Sequence, residues 1–376
     1  MTAERGLADL TRSVFASLGL GIDNPLEIAP TRGSDVVLLI DGFGSFIFDE
    51  YATAIPVISQ ESESYLASLR SYFPTTTVTN LTSLGTGQLP AVHGMVGYTM
   101  RIPFASEGTP QLLNGLKWDP RIDPLTWQRE VTLFEQAMKV GIDVFHIASK
   151  RYEGSGFTEA ALRGARYLPA QSDDEIIAAL AESTRRGPSF SYLYLNDVDE
   201  AGHSHGVGSS KWLGALQRVD ELVKKIISTL PRGSRLWITA DHGMVNAGEK
   251  VVLGLDNPLL EDVVLLGGEP RARHLYLTGS GSAQISGDQL ELRINDVRER
   301  WREFFGERIA LLRPSEAYGD SIEPGIKARI GDIIAIPTDD TVLIELERQE
   351  MQSRMVGHHG AMTRIESAIP LRCFAI

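Results

Sequence analysis

Short runs of consecutive apolar residues recur along the chain and predict buried strands. The first run is VVLLI at residues 36–40, and it ends abruptly at Asp41-Gly42. Further runs of this kind occupy residues 144–147, 192–195 and 236–239. Because unbroken apolarity is typical of strands that a parallel sheet buries on both faces, we expect these runs to form such a sheet.

Segments with helical periodicity lie between these strands. They cover residues 133–140, 174–182 and 212–230. Strands that alternate with helices predict an α/β fold with a doubly wound, mostly parallel central sheet. No internal repeat or low-complexity segment interrupts the pattern.

Changes in this pattern divide the chain into three parts. Residues 1–34 are predicted as a short amphipathic helix and a connection, and residues 35–250 together with 341–376 as the core. Residues 251–340 differ in character and are predicted as a smaller α/β insertion. The elements expected inside the insertion are strands at 274–278 and 333–336 and a charged amphipathic helix at 289–305.

The composition narrows the class of protein and of partner. The chain has 376 residues, of which 43% are hydrophobic and 23% are charged, values that are ordinary for a globular protein. The net charge is −13 and no block of Lys or Arg stands out, so the electrostatic footprint of a nucleic-acid binder is missing. We therefore expect a small-molecule substrate and no nucleic-acid polymer.

The cysteine content and the apolar segments bear on the location of the protein. Cys373 is the only cysteine, so the sequence implies no internal disulfide and no oxidising compartment. The N-terminus has no unbroken apolar stretch of signal-peptide length, and no segment approaches the roughly 18 apolar residues of a membrane span. We expect a cytoplasmic protein with no membrane partner. The sequence indicates no oligomeric state.

Acidic residues follow three of the predicted strands. They are Asp41 after the first, Asp197 and Asp199 after the third, and Asp241 after the fourth. In open parallel sheets, ligands bind beyond the carboxyl ends of the strands, where such side chains converge. The sequence therefore predicts a site at this edge of the sheet.

Histidines accompany these carboxylates at metal-ligand spacing. Asp199 and His203 are four residues apart, Asp241 and His242 are adjacent, and residues 358–360 read HHG. Mixed carboxylate and imidazole ligands suit catalytic zinc, manganese or iron better than magnesium. Two such ions roughly 4 Å apart can hold the attacking and leaving oxygens of a phosphoryl displacement, so the pattern favours two metals.

A threonine-rich stretch supplies a candidate nucleophile. Residues 73–94 read FPTTTVTNLTSLGTGQLPAVHG, which alone is typical of a capped helix start. A threonine hydroxyl is a poor nucleophile at neutral pH unless a group such as a dication holds the alkoxide. We expect a helix to begin near Thr77, where its N-terminal dipole would favour both an alkoxide and a substrate phosphate.

The order of these motifs resembles that of a known family. FPTTTVTN, TG, HG, D-x-x-x-H, DHG and a late HHG follow a strand that ends in Asp-Gly. The set resembles the alkaline phosphatase superfamily, and within it the type I phosphodiesterase/nucleotide pyrophosphatase branch, from about Asp35 to the C-terminus. The resemblance implies an alkaline phosphatase-like core and hydrolysis of small phosphoesters, with nucleotides among the candidate substrates.

The resemblance also implies roles for individual residues. Thr77 falls on the family's nucleophile, which forms a phosphothreonine intermediate, and Asn80 falls on an asparagine that contacts the phosphoryl oxygen. Two divalent ions are implied, zinc ahead of manganese or iron. The ligands would be Asp41, Thr77, Asp241 and His242 for the first ion, and Asp199, His203 and His359 for the second. His359 is preferred to His358 because the family's histidine directly precedes the glycine.

Two positions depart from the family pattern. Nucleotide-cleaving members commonly carry a lysine before the nucleophile and, after it, an aromatic residue that stacks on the base, whereas this chain has Thr76 and Val78. One face of a nucleoside clamp is therefore missing from its usual place. The aromatic residues that could line a pocket instead are Phe43, Tyr98, Trp118, Tyr152 and Phe157.

Several alternative functions stay open. Within the superfamily they are a phosphonoacetate-type hydrolase, a phosphomonoesterase and, ranked lower because it would carry a larger cap, a metal-dependent phosphomutase. The C/S-x-P-x-R segment of a sulfatase does not occur. A hypothesis of a different class is a non-catalytic metal-binding protein whose insertion recruits a partner.

Overall fold

A computed structural model describes residues 5–60, 66–103, 111–254, 256–280 and 285–376 of the chain. The strands are β1 Asp35–Ile40, β2 Leu66–Arg70, β3 Thr99–Arg101, β4 Leu112–Asn114, β5 Asp143–Ala148, β6 Arg166–Pro169, β7 Ser189–Leu195, β8 Arg235–Thr239, β9 Val245–Asn246, β10 Lys250–Val252, β11 Val263–Glu269, β12 Ala272–Leu277, β13 Ile309–Leu312, β14 Ile333–Pro337, β15 Val342–Ile344, β16 Gly357–His358 and β17 Ala368–Ala375.

Helices connect these strands. The α-helices are α1 Leu7–Ser17, α2 Phe46–Glu50, α3 Thr77–Thr86, α4 Pro90–His93, α5 Pro124–Trp127, α6 Leu133–Lys139, α7 Gly156–Ala161, α8 Asp173–Ser183, α9 Asp197–His205, α10 Ser210–Thr229, α11 Gly287–Phe305, α12 Pro314–Tyr318, α13 Pro324–Lys327, α14 Leu346–Arg354 and α15 Arg364–Ser367. Short 3-10 helices cover Ala52–Ala54, Lys150–Tyr152, Pro258–Leu260 and Gly306–Arg308.

The central sheet is mostly parallel. Within the described residues its seven strands have the order β2-β17-β8-β1-β7-β5-β6. β1 lies in the middle, pairs in parallel with β7 and β8, and is buried along its whole length. β5 and β6 continue the parallel arrangement beyond β7. All four predicted apolar runs are strands of this sheet, so the predicted α/β fold is confirmed.

The C-terminal strand is antiparallel to its neighbours and brings the segment that precedes it to the carboxyl edge of the sheet. β17 is antiparallel to both of its neighbours, β2 and β8. An antiparallel strand begins at the edge where its parallel neighbours end. The residues before β17 therefore lie at the carboxyl edge of the sheet, and β16 pairs there with β9.

Local capping signals explain where the predicted helices begin. Thr132 forms a capping box with Glu135 at the start of α6, and Ser172 forms one with Glu175 at the start of α8. The Ser209 side chain accepts a hydrogen bond from the backbone of α10. These three helices agree with the segments predicted from periodicity. Among the described helices, none has the length and apolarity that crossing a membrane requires.

A second, antiparallel sheet has its own hydrophobic core. Its strands have the order β11-β12-β14-β13. Val297 and Trp301 of α11 pack against Leu275 and Leu311 of this sheet, in a cluster separate from the main core. The sheet lies within the segment predicted as an insertion, and the boundaries of that insertion at residues 251 and 340 stay a prediction.

A buried ion pair joins the second sheet to the core. Arg271, in the turn between β11 and β12, lies 2.6 Å from Glu366 of α15, and both side chains are fully buried. Arg271 also donates to the carbonyls of Asp339 and Thr341. A buried pair loses much stability when one partner is removed, so this contact fixes the β11–β12 turn against the core.

Candidate functional site

Three carboxylates meet at the carboxyl ends of the adjacent strands β1, β7 and β8. Asp41 follows β1, Asp241 follows β8, and Asp199 lies in the first turn of α9 after β7. Gly42 has a positive φ of 73°, and a Cβ atom there would lie 3.2 Å from the Asp199 backbone. The approach of these carboxylates thus depends on a glycine after Asp41. The predicted convergence at this edge is confirmed.

One group of candidate metal ligands contains Asp199, His203 and His359, whose ligand atoms all lie within 4.8 Å of one another. His203 Nε2 lies 3.4 Å from Asp199 Oδ2, because residues four apart share one face of α9. His359 Nε2 lies 3.9 Å from Asp199 Oδ1. The ligands predicted for the second ion are therefore together.

A second group contains Asp41, Asp199 and His242, again with ligand atoms within 4.8 Å of one another. His242 Nε2 lies 3.3 Å from Asp41 Oδ1 and 3.4 Å from Asp241 Oδ2. The residues predicted around the first ion are also together. Asp199 belongs to both groups, which the sequence did not indicate.

Backbone carbonyls orient the three imidazole rings. Nδ1 of each ring faces a carbonyl oxygen, at 2.8 Å from His203 to Gly357, 3.0 Å from His242 to Gly243 and 2.8 Å from His359 to Thr75. A proton on Nδ1 satisfies such a carbonyl and leaves Nε2 with a free lone pair. The three Nε2 lone pairs therefore face carboxylate oxygens, which are also acceptors, so a cation between them would satisfy both kinds of atom.

The charges of the site fit divalent cations. Burial raises the pKa of Asp41 well above its ordinary value, and the neighbouring carboxylates of Asp241 and Asp199 raise it further. Burial also raises the pKa of Asp241. Asp41 Oδ1, Asp199 Oδ1 and Asp241 Oδ2 are buried without a hydrogen-bond partner. Because unpaired buried carboxylates are costly, dications between them would relieve both burial and repulsion.

Thr77 lies beside these ligands at the start of the ten-residue helix α3. Its Oγ1 is 3.3 Å from Asp41 Oδ2 and 3.3 Å from His242 Nε2, and the side chain is 8% exposed. The backbone N–H groups in the first turn of a helix have no intrahelical acceptor. A reacting phosphoryl group next to Thr77 would therefore meet both the hydroxyl and these donors.

The side chain of Asn80 has hydrogen-bond partners other than the predicted phosphoryl oxygen. Its Oδ1 accepts a hydrogen bond from the Tyr72 N–H at 2.8 Å, and its Nδ2 donates to the carbonyls of Tyr72, Pro74 and Thr76. The side chain is fully buried. Because both polar groups are already used to hold the turn before α3, the predicted contact with a phosphoryl oxygen is corrected to a structural role.

Two adjoining cavities open at Thr77. One, of about 230 Å³, also has Asp199, His203 and Glu269 in its wall. The other, of about 220 Å³, runs from Thr77 towards Phe157 and Tyr192. Both are lined by Leu116, Tyr152 and Tyr194. Thr77 therefore lies where two separate cavities meet.

The aromatic candidates divide between these cavities and the core. Tyr98, Tyr152 and Phe157 line a cavity, as predicted. Phe43 is fully buried in the core, and the Trp118 ring packs against Gly156. Val78 is also fully buried and would contact any side chain placed at Gly115, so it offers no face to a substrate.

Sequence reasoning missed two residues of the site. Tyr194 donates a hydrogen bond to Asp41 Oδ2. Tyr194 lies within the predicted strand at residues 192–195, close to the carboxyl end where the site was expected, so its position in the sequence could have indicated a role in the site. Glu269 ends β11 and is 4% exposed, and burial raises the pKa of its carboxyl to about 8. No motif marked Glu269, because the second sheet brings it to the site.

Known proteins share this sequence pattern. The sequence model of the type I phosphodiesterase/nucleotide pyrophosphatase family matches residues 36–362. The human (Homo sapiens) ectonucleotide pyrophosphatase/phosphodiesterase family member 1 is 28% identical over 306 residues, which cover 76% of this chain and 29% of the relative. The rat (Rattus norvegicus) protein of the same name is 29% identical over 246 residues, which cover 60% of this chain and 25% of the relative. The chain thus spans less than a third of these relatives.

Solved structures share the fold. Murine ectonucleotide pyrophosphatase/phosphodiesterase 5 superposes with a TM-score of 0.67 at 16% identity, over 90% of this chain and 87% of that one. An inactive form of the murine protein is known in complex with AMP. Phosphonoacetate hydrolase from Sinorhizobium meliloti 1021 gives a TM-score of 0.65 at 17% identity, over 91% of this chain and 90% of that one.

Proposed function

The chain belongs to the type I phosphodiesterase/nucleotide pyrophosphatase family, and we propose that it is a metal-dependent hydrolase of small phosphodiesters that uses Thr77 as its nucleophile. The observation that carries the proposal is the position of the Thr77 hydroxyl, 3.3 Å from both Asp41 and His242 at the start of α3. A threonine buried for packing alone would not need this neighbourhood of metal ligands.

Two divalent cations are part of the proposal. The residues that would hold them are Asp41, Thr77, Asp241 and His242 for one and Asp199, His203 and His359 for the other, with Asp199 near both. Bound there, they would favour the ionised Thr77 oxygen and neutralise charge around phosphorus. Carboxylate and imidazole donors favour zinc, with manganese or iron as alternatives.

Thr77 then performs the chemistry in two steps. Its oxygen forms a bond to phosphorus while the bond from phosphorus to the leaving oxygen breaks, and the hydroxyl proton ends on the leaving alcohol. Water cleaves the phosphothreonine in the second step, leaves its oxygen on the phosphomonoester and returns a proton to Thr77. The free N–H groups at the start of α3 stabilise the phosphoryl oxygens in both steps.

The two cavities suggest where the substituents of phosphorus lie. The pocket of about 220 Å³ combines apolar and aromatic walls from Leu81, Leu116, Tyr152 and Phe157, which suit a planar organic group. We place the retained group of the substrate there. The AMP complex of the murine fold neighbour supports a nucleoside as one such group. The leaving group then occupies the cavity beside Asp199 and His359.

Turnover of bis(p-nitrophenyl) phosphate tests the proposal. We expect zinc-loaded protein to hydrolyse the diester, and Thr77→Ala to lower kcat at least about a thousandfold because the nucleophile is lost. Thr126→Ala, an exposed threonine of α5, is the matched control and should keep full activity.

The same assay separates the alternatives. Equal inactivity of the wild type and Thr77→Ala with metals bound would indicate a non-catalytic metal-binding protein. Faster turnover of p-nitrophenyl phosphate than of the diester would indicate a phosphomonoesterase, and phosphate release from phosphonoacetate would indicate a phosphonate hydrolase.

A further inference from the structure

The wall of the cavity beside Asp199 contains two polar side chains to which no role has been given. Glu269 comes from the end of β11 and is 4% exposed, and Gln352 comes from α14 and is 9% exposed. Each has one side-chain oxygen, Oε1, that is buried without a hydrogen-bond partner. A buried acceptor without a donor loses free energy unless a ligand supplies the donor.

Glu269 is fixed in this wall by packing. A Cβ atom at Gly360 would lie 2.9 Å from Glu269 Cγ, so the side chain packs against the segment that carries His359. Burial raises the pKa of its carboxyl, and the nearby Thr76 side chain and Tyr98 backbone oppose this rise. Oε1 of the carboxyl is buried without a hydrogen-bond partner.

The charge of the cavity points to the kind of group that it accepts. Among the described residues that line it, none is lysine or arginine, while Asp41, Asp199 and Glu269 are acidic. Two dications carry four positive charges. Asp41, Asp199, Asp241 and a phosphodiester together carry four negative charges, so the ions leave no excess positive charge to balance Glu269 or an anionic leaving group.

An in-line displacement assigns this cavity to the leaving group. The bond that breaks lies opposite the attacking Thr77 oxygen. The residues that line this cavity but not the neighbouring pocket include His203, Glu269, Gln352 and His359. The departing alcohol therefore passes Glu269 and Gln352 when the retained group occupies the pocket beside Phe157.

We propose that Glu269 and Gln352 bind the leaving group and select phosphodiesters whose leaving alcohol carries a hydroxyl or ammonium donor and no negative charge. This inference rests on the proposed function. It assigns the enzyme to diesters of polyols or amino alcohols, and it disfavours nucleoside triphosphates, whose leaving group is pyrophosphate.

A set of AMP esters with one retained group and different leaving alcohols tests the selectivity. The probes are the 2-aminoethyl, glyceryl, ethyl and carboxymethyl esters of AMP, and the measurement is kcat/KM for AMP release at pH 9. This pH lies above the pKa of about 8 to which burial raises Glu269, so the carboxylate is ionised. We expect the aminoethyl and glyceryl esters to exceed the ethyl ester by about tenfold, as for one charge-assisted hydrogen bond. The carboxymethyl ester should be slower than the ethyl ester.

The variant Glu269→Gln separates a contact with the leaving group from a structural role of Glu269 in the cavity wall. The amide keeps the size of the side chain and an acceptor oxygen but removes the negative charge. We expect the ratio of aminoethyl to ethyl ester to fall to within about twofold of one. A positioning role alone would slow every ester by the same factor and leave the ratio unchanged, which would overturn the proposal. Glu249→Gln, an exposed carboxylate on the surface, is the matched control and should keep the wild-type ratio.

Binding to the Thr77→Ala variant distinguishes this inference from the proposed function. With the nucleophile removed, the metal-loaded variant should bind the aminoethyl ester about tenfold more tightly than the ethyl ester by calorimetry, and Thr77→Ala with Glu269→Gln should not. Binding selectivity without any turnover by the wild type would keep the inference and reject the esterase proposal. Turnover with equal affinities, or a preference for the anionic ester, would reject the inference and keep the esterase.

Discussion

The imidazoles of the site are held by the main chain, which makes their positions depend on how distant segments pack. His203 points its Nδ1 at the carbonyl of Gly357, and His359 points its Nδ1 at the carbonyl of Thr75. Thr75 in turn donates from its hydroxyl to the Ala361 carbonyl at 2.8 Å and accepts from the Gly360 N–H at 3.0 Å. The turn before Thr77 and the HHG segment at residues 358–360 are therefore one hydrogen-bonded unit, and a change in either would move the candidate ligands of the other.

Asn80 belongs to the support of this unit. Asn80→Ala would leave the backbone groups of Tyr72 and Thr76 without their partner in a fully buried place. We expect a loss of roughly 2–4 kcal/mol in the free energy of unfolding. Denaturant unfolding measures this loss, and Asn295→Ala on the exposed face of α11 is the control with an expected change within about 0.5 kcal/mol.

A contact with the phosphoryl oxygen would give a different result. Asn80→Ala would then keep the stability and metal content of the wild type and lose most of its kcat. That combination would restore the role that the family resemblance implies for Asn80.

At the scale of elements, two helices carry much of the site. α3 supplies Thr77 in its first turn, and α9 supplies Asp199 and His203 one turn apart. The sequence predicted both arrangements, because a threonine-rich helix start and an i, i+4 ligand pair are local signals. It did not predict that Asp199 lies in both ligand groups, because that depends on the approach of β1 and β7 in space.

The ligand pair on α9 gives a prediction for metal content. Elemental analysis of the zinc-loaded wild type should find two ions per chain, and His203→Ala should reduce this to about one, because only one ligand group contains His203. Asp199→Asn should lower the affinity for both ions, since Asp199 belongs to both ligand groups. His205→Ala, two residues further along α9 and exposed, is the control and should keep two ions. A metal content of two ions per chain in His203→Ala would show that His203 is not a ligand.

At the scale of the molecule, the second sheet completes a site that the first sheet begins. The four parallel strands, the acidic residues at their ends and most of the candidate ligands follow from apolar runs and motif spacing, whereas the strand order does not. The contribution of Glu269 does not follow, because it depends on how the β11–β12 turn is anchored by the buried Arg271–Glu366 pair. The antiparallel direction of β17 was also not predicted, because an apolar run does not indicate the direction of a strand.

The same long-range packing explains why the sequence alone does not identify the substrate. The missing aromatic residue at Val78 was visible in the sequence, but its replacements in the cavity wall come from several segments. Tyr98, Tyr152 and Tyr194 are far apart in the chain and meet only in the folded structure. The selectivity of the site therefore depends on the assembled cavity, whereas the proposed nucleophile, Thr77, comes from one helix.

The stereochemistry at phosphorus tests the central claim most directly. The substrate is a nucleoside phosphorothioate diester of one configuration, hydrolysed by the metal-loaded enzyme in water labelled with oxygen-18, and the product configuration is read by phosphorus NMR. Each in-line displacement inverts the configuration, so attack by Thr77 followed by attack of water predicts overall retention. Inversion would show that water attacks the substrate directly, and it would contradict a phosphothreonine intermediate on Thr77.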